Sequence, residues 1–368
     1  MPKKKIKVLI IDDSALVRKI LSSAFENARD IEVLGTAMDP LFAVEIIRAE
    51  RPDVITLDIQ MPRMDGLTFL KKLMSSYPIP VVVISSLTKQ GSEAAIKALQ
   101  LGAVDVVAKP DSSIEQNLSQ LSAEITDKVR LAASSNIQPL ITRGLTKSTE
   151  STESTASTAS TASTPKTPKD QKHPLVYGVS KKLVVLGAST GGTVAVRKII
   201  ENVEGPAPAM LVVLHMPAHF TYSYAEGINK GSSFTVKEAA NGDVLLNNHI
   251  YIAPGGYHVE VKKASRGYRI HLNDDPPYNR HKPAIDLAFF SAAAIIKECC
   301  FAAVLTGMGN DGAEGLKAIL ESGGTTVTQN EETSVIYGMP KQALMLGGSQ
   351  ASLSLYEIAE AIQRFSQS

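Results

Sequence analysis

The sequence is poor in cysteine, in net charge and in long apolar runs. Of its 368 residues only two are cysteines, the neighbours Cys299 and Cys300, and the formal net charge is +1. Adjacent cysteines do not suit a disulfide, and two thiols alone do not make a metal site, so the composition predicts a cytoplasmic protein. The balanced charge provides no general field that would recruit nucleic acid or an anionic membrane.

No apolar run is long enough to span a bilayer, which predicts no direct membrane insertion. The start of the chain, MPKKKIKVLIIDDS, is basic and then apolar. Asp12 and Asp13 cut that apolar run too short for a signal peptide. With 44% hydrophobic and 20% charged residues the composition is that of a globular protein, and the length is sufficient for two or three domains.

A serine- and threonine-rich tract divides the chain. Residues 148–164 repeat the triplets Ser-Thr-Glu and Ser-Thr-Ala. The tract has no large apolar side chains with which to form a core, so it predicts a disordered linker over about residues 134–181. The linker separates a first domain, residues 1–133, from a second domain, residues 182–368.

Apolar strands and amphipathic helices alternate in the first domain. Strands are predicted at residues 8–11, 31–35, 54–57, 81–84 and 105–108. Helices are predicted near residues 16–26, 41–49, 67–75, 93–101 and 114–131. Five such units predict an α/β fold with a five-stranded, doubly wound parallel sheet in the flavodoxin-like strand order.

Polar side chains follow the predicted strands of this domain. Asp12 and Asp13 follow the first strand, Asp58 the third, Ser85 the fourth and Lys109 the fifth. The first and third strands are neighbours in this order, so three carboxylates would converge at one edge of the sheet. Like charges so close repel unless a hard cation with oxygen ligands joins them, and Mg²⁺ also suits a phosphoryl substrate. The set therefore predicts a site that accepts a phosphoryl group.

The motifs IIDDS, TLDIQMPRMDG, VVVISS and VVAKP, in this order, resemble the receiver domain of two-component response regulators. The resemblance covers the whole first domain and implies that a histidine kinase phosphorylates Asp58. It implies four ligands for Mg²⁺: Asp12, Asp13, Asp58 and, through its main-chain carbonyl, Gln60. It also implies that Ser85 and Lys109 sense the phosphoryl group.

The second domain opens with a strand, a glycine turn and a helix in the stretch LVVLGASTGGTVAVRKII. Residues 183–186 predict a buried strand, and Thr193 is the predicted N-cap of the helix. Gly187, Ser189 and Gly191 match G-x-S-x-G, in which a serine nucleophile lies beside free helix amides. The pattern is short, so a plain tight turn or a phosphate-binding turn stays open here.

Two further strand ends carry a histidine and an aspartate. A strand at 209–214 ends before His215, and a strand at 301–305 precedes TGMGNDG, which contains Asp311. A hydroxyl, an imidazole and a carboxylate are the groups that hydrolytic acyl transfer uses. The residues alone leave three rival bases, namely His219, His258 and His281. They also leave open that Asp311 only caps a helix.

The remaining pattern predicts a doubly wound, Rossmann-like α/β domain with a small antiparallel hairpin. Further strands are predicted at residues 234–238, 249–253, 258–262, 268–272 and 325–328, with the hairpin closed around 265–267. Helices are predicted at 283–297, from 311 to about 321, and at 356–365. An α/β-hydrolase fold is excluded because its catalytic histidine comes late in the chain, whereas the last histidine here is His281.

The motifs GASTGG, HMPAHFT, YIAPGG, NRHKPAID, LTGMGNDG and YGMPKQA resemble the catalytic domain of the chemotaxis protein-glutamate methylesterase family. The resemblance implies that Ser189 is the nucleophile, His215 the base and Asp311 the acid that orients it. It implies that backbone amides near Thr190 and Met308 stabilise the oxyanion. The implied substrates are methylated glutamates and selected glutamines of chemotaxis receptors, and hydrolysis is expected to need no cofactor.

The fusion of the two domains suggests a regulatory hypothesis. We expect the unphosphorylated receiver to cover the Ser189 cleft and phosphorylation of Asp58 to loosen that contact. Two other functions stay open, a receiver-controlled esterase of a small molecule and a non-enzymatic module that binds an anion at the glycine turn. A DNA-binding output is not expected, because no basic recognition helix is present.

Overall fold

The first domain of the computed structural model is a parallel sheet covered by helices on both faces. The structure describes residues 4–61, 65–86, 88–109, 114–141 and 178–368. The strands are β1 (Ile6–Ile11), β2 (Ile31–Ala37), β3 (Val54–Asp58), β4 (Val81–Ser85) and β5 (Asp105–Ala108). Their order, β2-β1-β3-β4-β5, confirms the predicted flavodoxin-like arrangement.

Helices follow these strands where the sequence supplies a capping side chain. They are α1 (Ala15–Glu26), α2 (Pro40–Ala49), α3 (Gly66–Ser76), α4 (Lys89–Gln100) and α5 (Ile114–Ala133). Ser14 accepts a hydrogen bond from Val17 N at the start of α1, and Asp39 accepts from the first amides of α2. Because each cap lies just after a strand, it also fixes where the chain turns from the strand into the helix.

The two ends of the predicted linker lie within the described residues. Residues 134–141, which the sequence assigns to the linker, continue past α5 into a short helical turn, α6 (Gln138–Ile141). At the other end of the predicted linker, Ser180 N donates to Leu245 O of the second domain at 2.8 Å. The serine- and threonine-rich tract itself lies outside the described residues.

The second domain has a seven-stranded parallel sheet. Its strands are β6 (Leu183–Ala188), β7 (Ala209–Leu214), β8 (Thr235–Glu238), β9 (His249–Ile252), β12 (Cys300–Val304), β13 (Thr325–Gln329) and β14 (Ala351–Leu353). The antiparallel hairpin of β10 (His258–Lys263) and β11 (Tyr268–Asn273) is present as predicted. The order β14-β13-β12-β6-β7-β9-β8 confirms the doubly wound arrangement and places the reversal of strand order between β6 and β12. Ligands of such sheets bind at this reversal.

Six helices complete this domain. They are α7 (Gly192–Asn202), α8 (Phe220–Asn229), α9 (Ile285–Ile295), α10 (Ala313–Glu321), α11 (Met339–Met345) and α12 (Leu355–Gln367). The predicted N-cap Thr193 is wrong, because α7 begins at Gly192 and its N-cap is Gly191, which has a φ of 78°. A Cβ at Gly191 would lie 2.6 Å from a methyl group of Val335, so the turn needs glycine for space as well as for φ.

The two domains pack against each other. Helix α4 of the first domain contacts α8 of the second. Two main-chain carbonyls accept hydrogen bonds across the boundary between the domains. Asn136 N donates to Val335 O at 2.9 Å, and Lys198 Nζ donates to Pro139 O at 2.8 Å. In the described part of the chain, no helix combines the length and the apolar character that crossing a membrane requires.

Candidate active site

Ser189 leaves the sheet at the point where the strand order reverses. It follows β6 directly, and its amide donates to Thr306 O, beyond the end of the neighbouring strand β12, at 2.9 Å. Ala188 pairs in register with Leu214 of β7. Ser189 and His215 are therefore the first residues beyond one strand pair, and His215 N donates to Ala188 O at 3.2 Å.

His215 is paired with Asp311. His215 Nε2 lies 2.8 Å from Asp311 Oδ2, and the side chains are 8% and 1% exposed. The other ring nitrogen, His215 Nδ1, is buried and has no hydrogen-bond partner among the described residues. A carboxylate that holds one nitrogen fixes the tautomer and leaves the other nitrogen able to accept a proton.

Asp311 is held ionised by its surroundings. Burial alone would raise its pKa, but the hydrogen bond and charge of His215, with two main-chain amides, hold the pKa of Asp311 below its usual range. These amides belong to Ile285 and Asp286, which donate to Asp311 at 2.8 and 3.0 Å. Asp311 thus pairs with the histidine and also caps a helix. The helix is α9, and not α10, which follows Asp311 in the chain.

Asp286, in the first turn of α9, in turn caps α10. Its Oδ1 accepts from Gly315 N in the first turn of α10 at 2.7 Å, so each of the two helices receives its capping carboxylate from the other. Burial raises the pKa of Asp286 to about 6. Sequence reasoning missed Asp286, although it ends the NRHKPAID motif, because the amide that its carboxylate accepts from, Gly315 N, lies 29 residues away.

The three rival histidines have different surroundings. His219 is exposed and is the N-cap residue of α8. His258 is fully buried, accepts from Ala284 N at Nδ1 and contacts Pro276 O through Nε2, both at 3.1 Å. His281 stacks on His215 with ring centroids 3.7 Å apart and planes 6° apart. Among His215 and its three rivals in the described chain, only His215 forms an ion pair with a carboxylate.

Thr190 directly follows Ser189, and the loop that carries Met308 approaches Ser189 at Gly307. A Cβ at Gly307 would lie 2.6 Å from Ser189 Cβ, so glycine allows the loop that carries Met308 to approach the serine. Thr306 Oγ1 donates to Thr190 O at 3.0 Å and ties the two segments together. Neither the Thr190 amide nor the Met308 amide donates a hydrogen bond within the described residues.

The first domain contacts this site directly. Thr190 Oγ1 donates to Asp105 Oδ2 at 2.6 Å, and Asp105 is the first residue of β5. Asp105 also forms an ion pair with Lys128 at 2.8 Å. A residue of the first domain therefore bonds to the neighbour of Ser189.

The predicted phosphoacceptor residues meet at the edge of the first sheet. Carboxylate oxygens of Asp12, Asp13 and Asp58 lie within 4.8 Å of one another. Lys109 Nζ lies 2.7 Å from Asp58 Oδ2 and 3.1 Å from Asp12 Oδ2. Gln60 N donates to Asp58 Oδ1 at 3.1 Å, so the main chain of Gln60 lies beside the carboxylate cluster.

The charges in this cluster agree with a cation site. Burial raises the pKa of Asp12, against the attraction of Lys109. Burial opposes the charge on Lys109, but the hydrogen bond to Asp58 and the two carboxylates raise its pKa above the ordinary value. Asp12 Oδ2 is buried and makes no hydrogen bond of normal geometry. Three converging carboxylates with such an oxygen fit a hard cation such as Mg²⁺.

Ser85, the second predicted switch residue, hydrogen-bonds to the main chain of α4. Its hydroxyl donates to Gly91 O in the first turn of α4 at 2.9 Å. Because α4 also packs on α8, Ser85 connects the end of β4 to the helix at the domain boundary.

The fold and the two sites define a class of protein, a phosphoacceptor domain fused to an α/β domain with serine, histidine and aspartate at one sheet edge. The family model for the CheB methylesterase matches residues 184–362, and that for the response regulator receiver domain matches residues 8–119. The chain belongs to the CheB methylesterase family, with a receiver domain in its first half.

Relatives match along nearly the whole chain. The protein-glutamate methylesterase/protein-glutamine glutaminase of Chromohalobacter salexigens is 41% identical over 364 residues, 99% of this chain and 97% of the relative. That of Pectobacterium atrosepticum is 42% identical over 357 residues, 97% of this chain and 95% of the relative. The crystal structure of the Thermotoga maritima CheB methylesterase catalytic domain is 37% identical, covers 50% of this chain and 99% of that chain, and has a TM-score of 0.49.

Proposed function

We propose that the protein hydrolyses glutamate γ-methyl esters on methyl-accepting chemotaxis receptors and deamidates selected glutamines there. The observation that carries the proposal is the His215–Asp311 pair at 2.8 Å. His215 and Ser189 are the residues that directly follow the paired strands β7 and β6. The names of the relatives support the substrate class. Both reactions act on the same acyl carbon, with methanol or ammonia as the leaving group.

The proposed reaction begins at Ser189. Its Oγ attacks the ester carbon while His215 Nδ1 takes the hydroxyl proton, and Asp311 stabilises the imidazolium through Nε2. No hydrogen bond joins Ser189 Oγ to His215 in the structure as described. The hydrogen bond between Ser189 and His215 would therefore form in the first step, as is common when substrate binds.

The later steps use the same groups. The N–H groups of Thr190 and Met308 would stabilise the oxyanion of the tetrahedral intermediate. The proton on His215 passes to methanol as it leaves, and an acyl-serine remains. Water then attacks the acyl carbon, with His215 as base, and frees Ser189 and the glutamate carboxylate. This step needs only the side chains named here and water.

The first domain would control this activity. A histidine kinase would donate the phosphoryl group to Asp58. Mg²⁺ held by Asp12, Asp13, Asp58 and the Gln60 carbonyl would neutralise charge on the phosphoryl group. The Thr190–Asp105 hydrogen bond and the α4–α8 packing support docking of the unphosphorylated receiver beside Ser189. A kinase and a receptor segment as partners would place the protein in the cytoplasm.

The test is release of labelled methanol from radiolabelled methylated receptor, comparing wild type with Ser189→Ala. Wild type should release methanol and the variant should not. An esterase of small molecules would instead act on aryl esters and leave the receptor methylated. If Ser189→Ala kept wild-type release, Ser189 would not be the nucleophile. A non-enzymatic module would give no release from either protein.

A further inference from the structure

His281 lies flat against the catalytic base. Its ring is parallel to that of His215 at a centroid distance of 3.7 Å, and among the described residues the His215 ring makes one hydrogen bond, from Nε2 to Asp311. A single hydrogen bond fixes one end of an imidazole but permits rotation about that bond. A second flat ring in contact removes this freedom, because tilting the first ring would produce a clash.

The loop that carries His281 is fixed at several points. Tyr278 and His281 exchange two main-chain hydrogen bonds, of 3.1 and 2.9 Å, across a two-residue turn. Both turn residues, Asn279 and Arg280, have positive φ, 50° and 71°. Positive φ at arginine is unfavourable, and such strain persists where the surrounding structure imposes it.

Two further contacts hold the loop on either side of this turn. Lys282 Nζ donates to Asp274 Oδ1 at 2.6 Å and to Asp274 O at 2.9 Å. Beyond it, Ala284 N donates to the buried His258 at 3.1 Å. The loop therefore cannot move away from His215 without breaking side-chain and main-chain hydrogen bonds together.

His281 is in the neutral form near pH 7. The pKa of His281 is lowered to about 4, chiefly by burial and then by the charge of His215, against the attraction of Asp311. Arg280 adds to the lowering. A neutral ring can lie against His215 when that residue takes up a proton, whereas a charged ring would repel it.

From the stacking and the fixed loop we infer that His281 is a positioning residue for catalysis. It holds the plane of His215 so that Nδ1 faces the hydroxyl of Ser189. It does not exchange a proton with the substrate. The inference rests on the proposed function, since it assigns His215 as the base.

The test compares three variants of the full-length protein, His281→Ala, His281→Phe and His281→Leu. Phenylalanine keeps a flat ring without titration, leucine keeps apolar volume without a flat ring, and alanine removes both. We expect His281→Ala and His281→Leu to lower kcat about 100-fold with KM unchanged, because a small misplacement of a catalytic group costs this much. We expect His281→Phe to retain kcat within about threefold and the wild-type pH profile.

Two measurements separate failure of this inference from failure of the proposed function. Methanol release from methylated receptor reports the whole reaction, and the labelling rate of Ser189 by an alkyl fluorophosphonate reports the base without the natural substrate. If wild type is labelled but releases no methanol, the substrate assignment fails and the labelling rates still test His281. Wild-type labelling in His281→Ala, or equal loss in His281→Phe and His281→Leu, would overturn the inference. If His281→Ala does not fold, the comparison of phenylalanine with leucine decides.

Discussion

Thr190, the residue that follows the candidate nucleophile, donates a 2.6 Å hydrogen bond to Asp105 of the receiver domain. Asp105 lies at the amino end of β5, whereas the cluster of Asp12, Asp13 and Asp58 lies at the carboxyl edge of the same sheet. A change in how the receiver docks would therefore act at the residue whose amide is proposed to stabilise the oxyanion. The contact between the two domains therefore lies one residue from the candidate nucleophile.

Removing the Asp105 carboxylate should raise activity without phosphorylation. A hydrogen bond to a charged group contributes about 1.5 kcal/mol, so its loss should shift docking by up to about tenfold. We expect Asp105→Ala to raise basal methanol release by up to this factor. Asp53→Ala is the matched control, because the Asp53 carboxylate accepts from Lys7 N and pairs with Lys4, both within the receiver. Equal activity of Asp105→Ala and wild type would show that this contact does not restrain the enzyme.

Asp311→Asn should nearly abolish turnover while leaving binding intact. The amide cannot hold the His215 tautomer, and such a change in a serine–histidine–aspartate site lowers kcat by roughly three to four orders of magnitude. Steady-state kinetics on methylated receptor measures the split, with KM expected to stay within about twofold. A loss below about tenfold would remove Asp311 from the catalytic set.

Much of both sites could be predicted from the sequence, because parallel strands deliver their carboxyl ends to one edge. Ser189 and His215 directly follow apolar strands and Asp58 is the last residue of one, so the order of the strands predicts the sheet edge at which each lies. The stacking of His281 was not predictable, since it depends on a turn with two positive φ values, and the turn contains no glycine that would indicate them. The Asp105–Thr190 contact depends on docking two domains across a linker, for which the chain carries no periodic signal.

Asp286 should make the protein less stable as pH rises. Burial raises its pKa from 3.8 to about 6, so between these values the folded state holds a proton that the unfolded chain has lost. Stability is then greatest below the unfolded value and falls as pH rises through the folded value. Asp286→Asn keeps the acceptor for Gly315 N without this titration.

The check is chemical denaturation of wild type and Asp286→Asn at pH 4.5 and pH 7.5. Relative to wild type, the variant should gain about 2 kcal/mol between the two pH values, since each pKa unit corresponds to about 1.4 kcal/mol. Asp286→Ala, which also leaves the amides of α10 without their cap, should be less stable than Asp286→Asn at both. A stability difference that does not change with pH would contradict the raised pKa.

Asp58→Asn should block activation and leave basal hydrolysis unchanged, because Asp58 lies in the receiver cluster and not beside Ser189. With acetyl phosphate as donor, wild type should gain an acyl phosphate and higher methanol release only when Mg²⁺ is present, and chelation should abolish both. Asp58→Asn should show neither. The double variant Asp58→Asn with Asp105→Ala should keep the raised basal activity of Asp105→Ala, since loss of the docking contact acts after phosphoryl transfer. If the double variant fell back to the activity of Asp58→Asn alone, the Thr190–Asp105 contact would not lie between the phosphoacceptor and the active site.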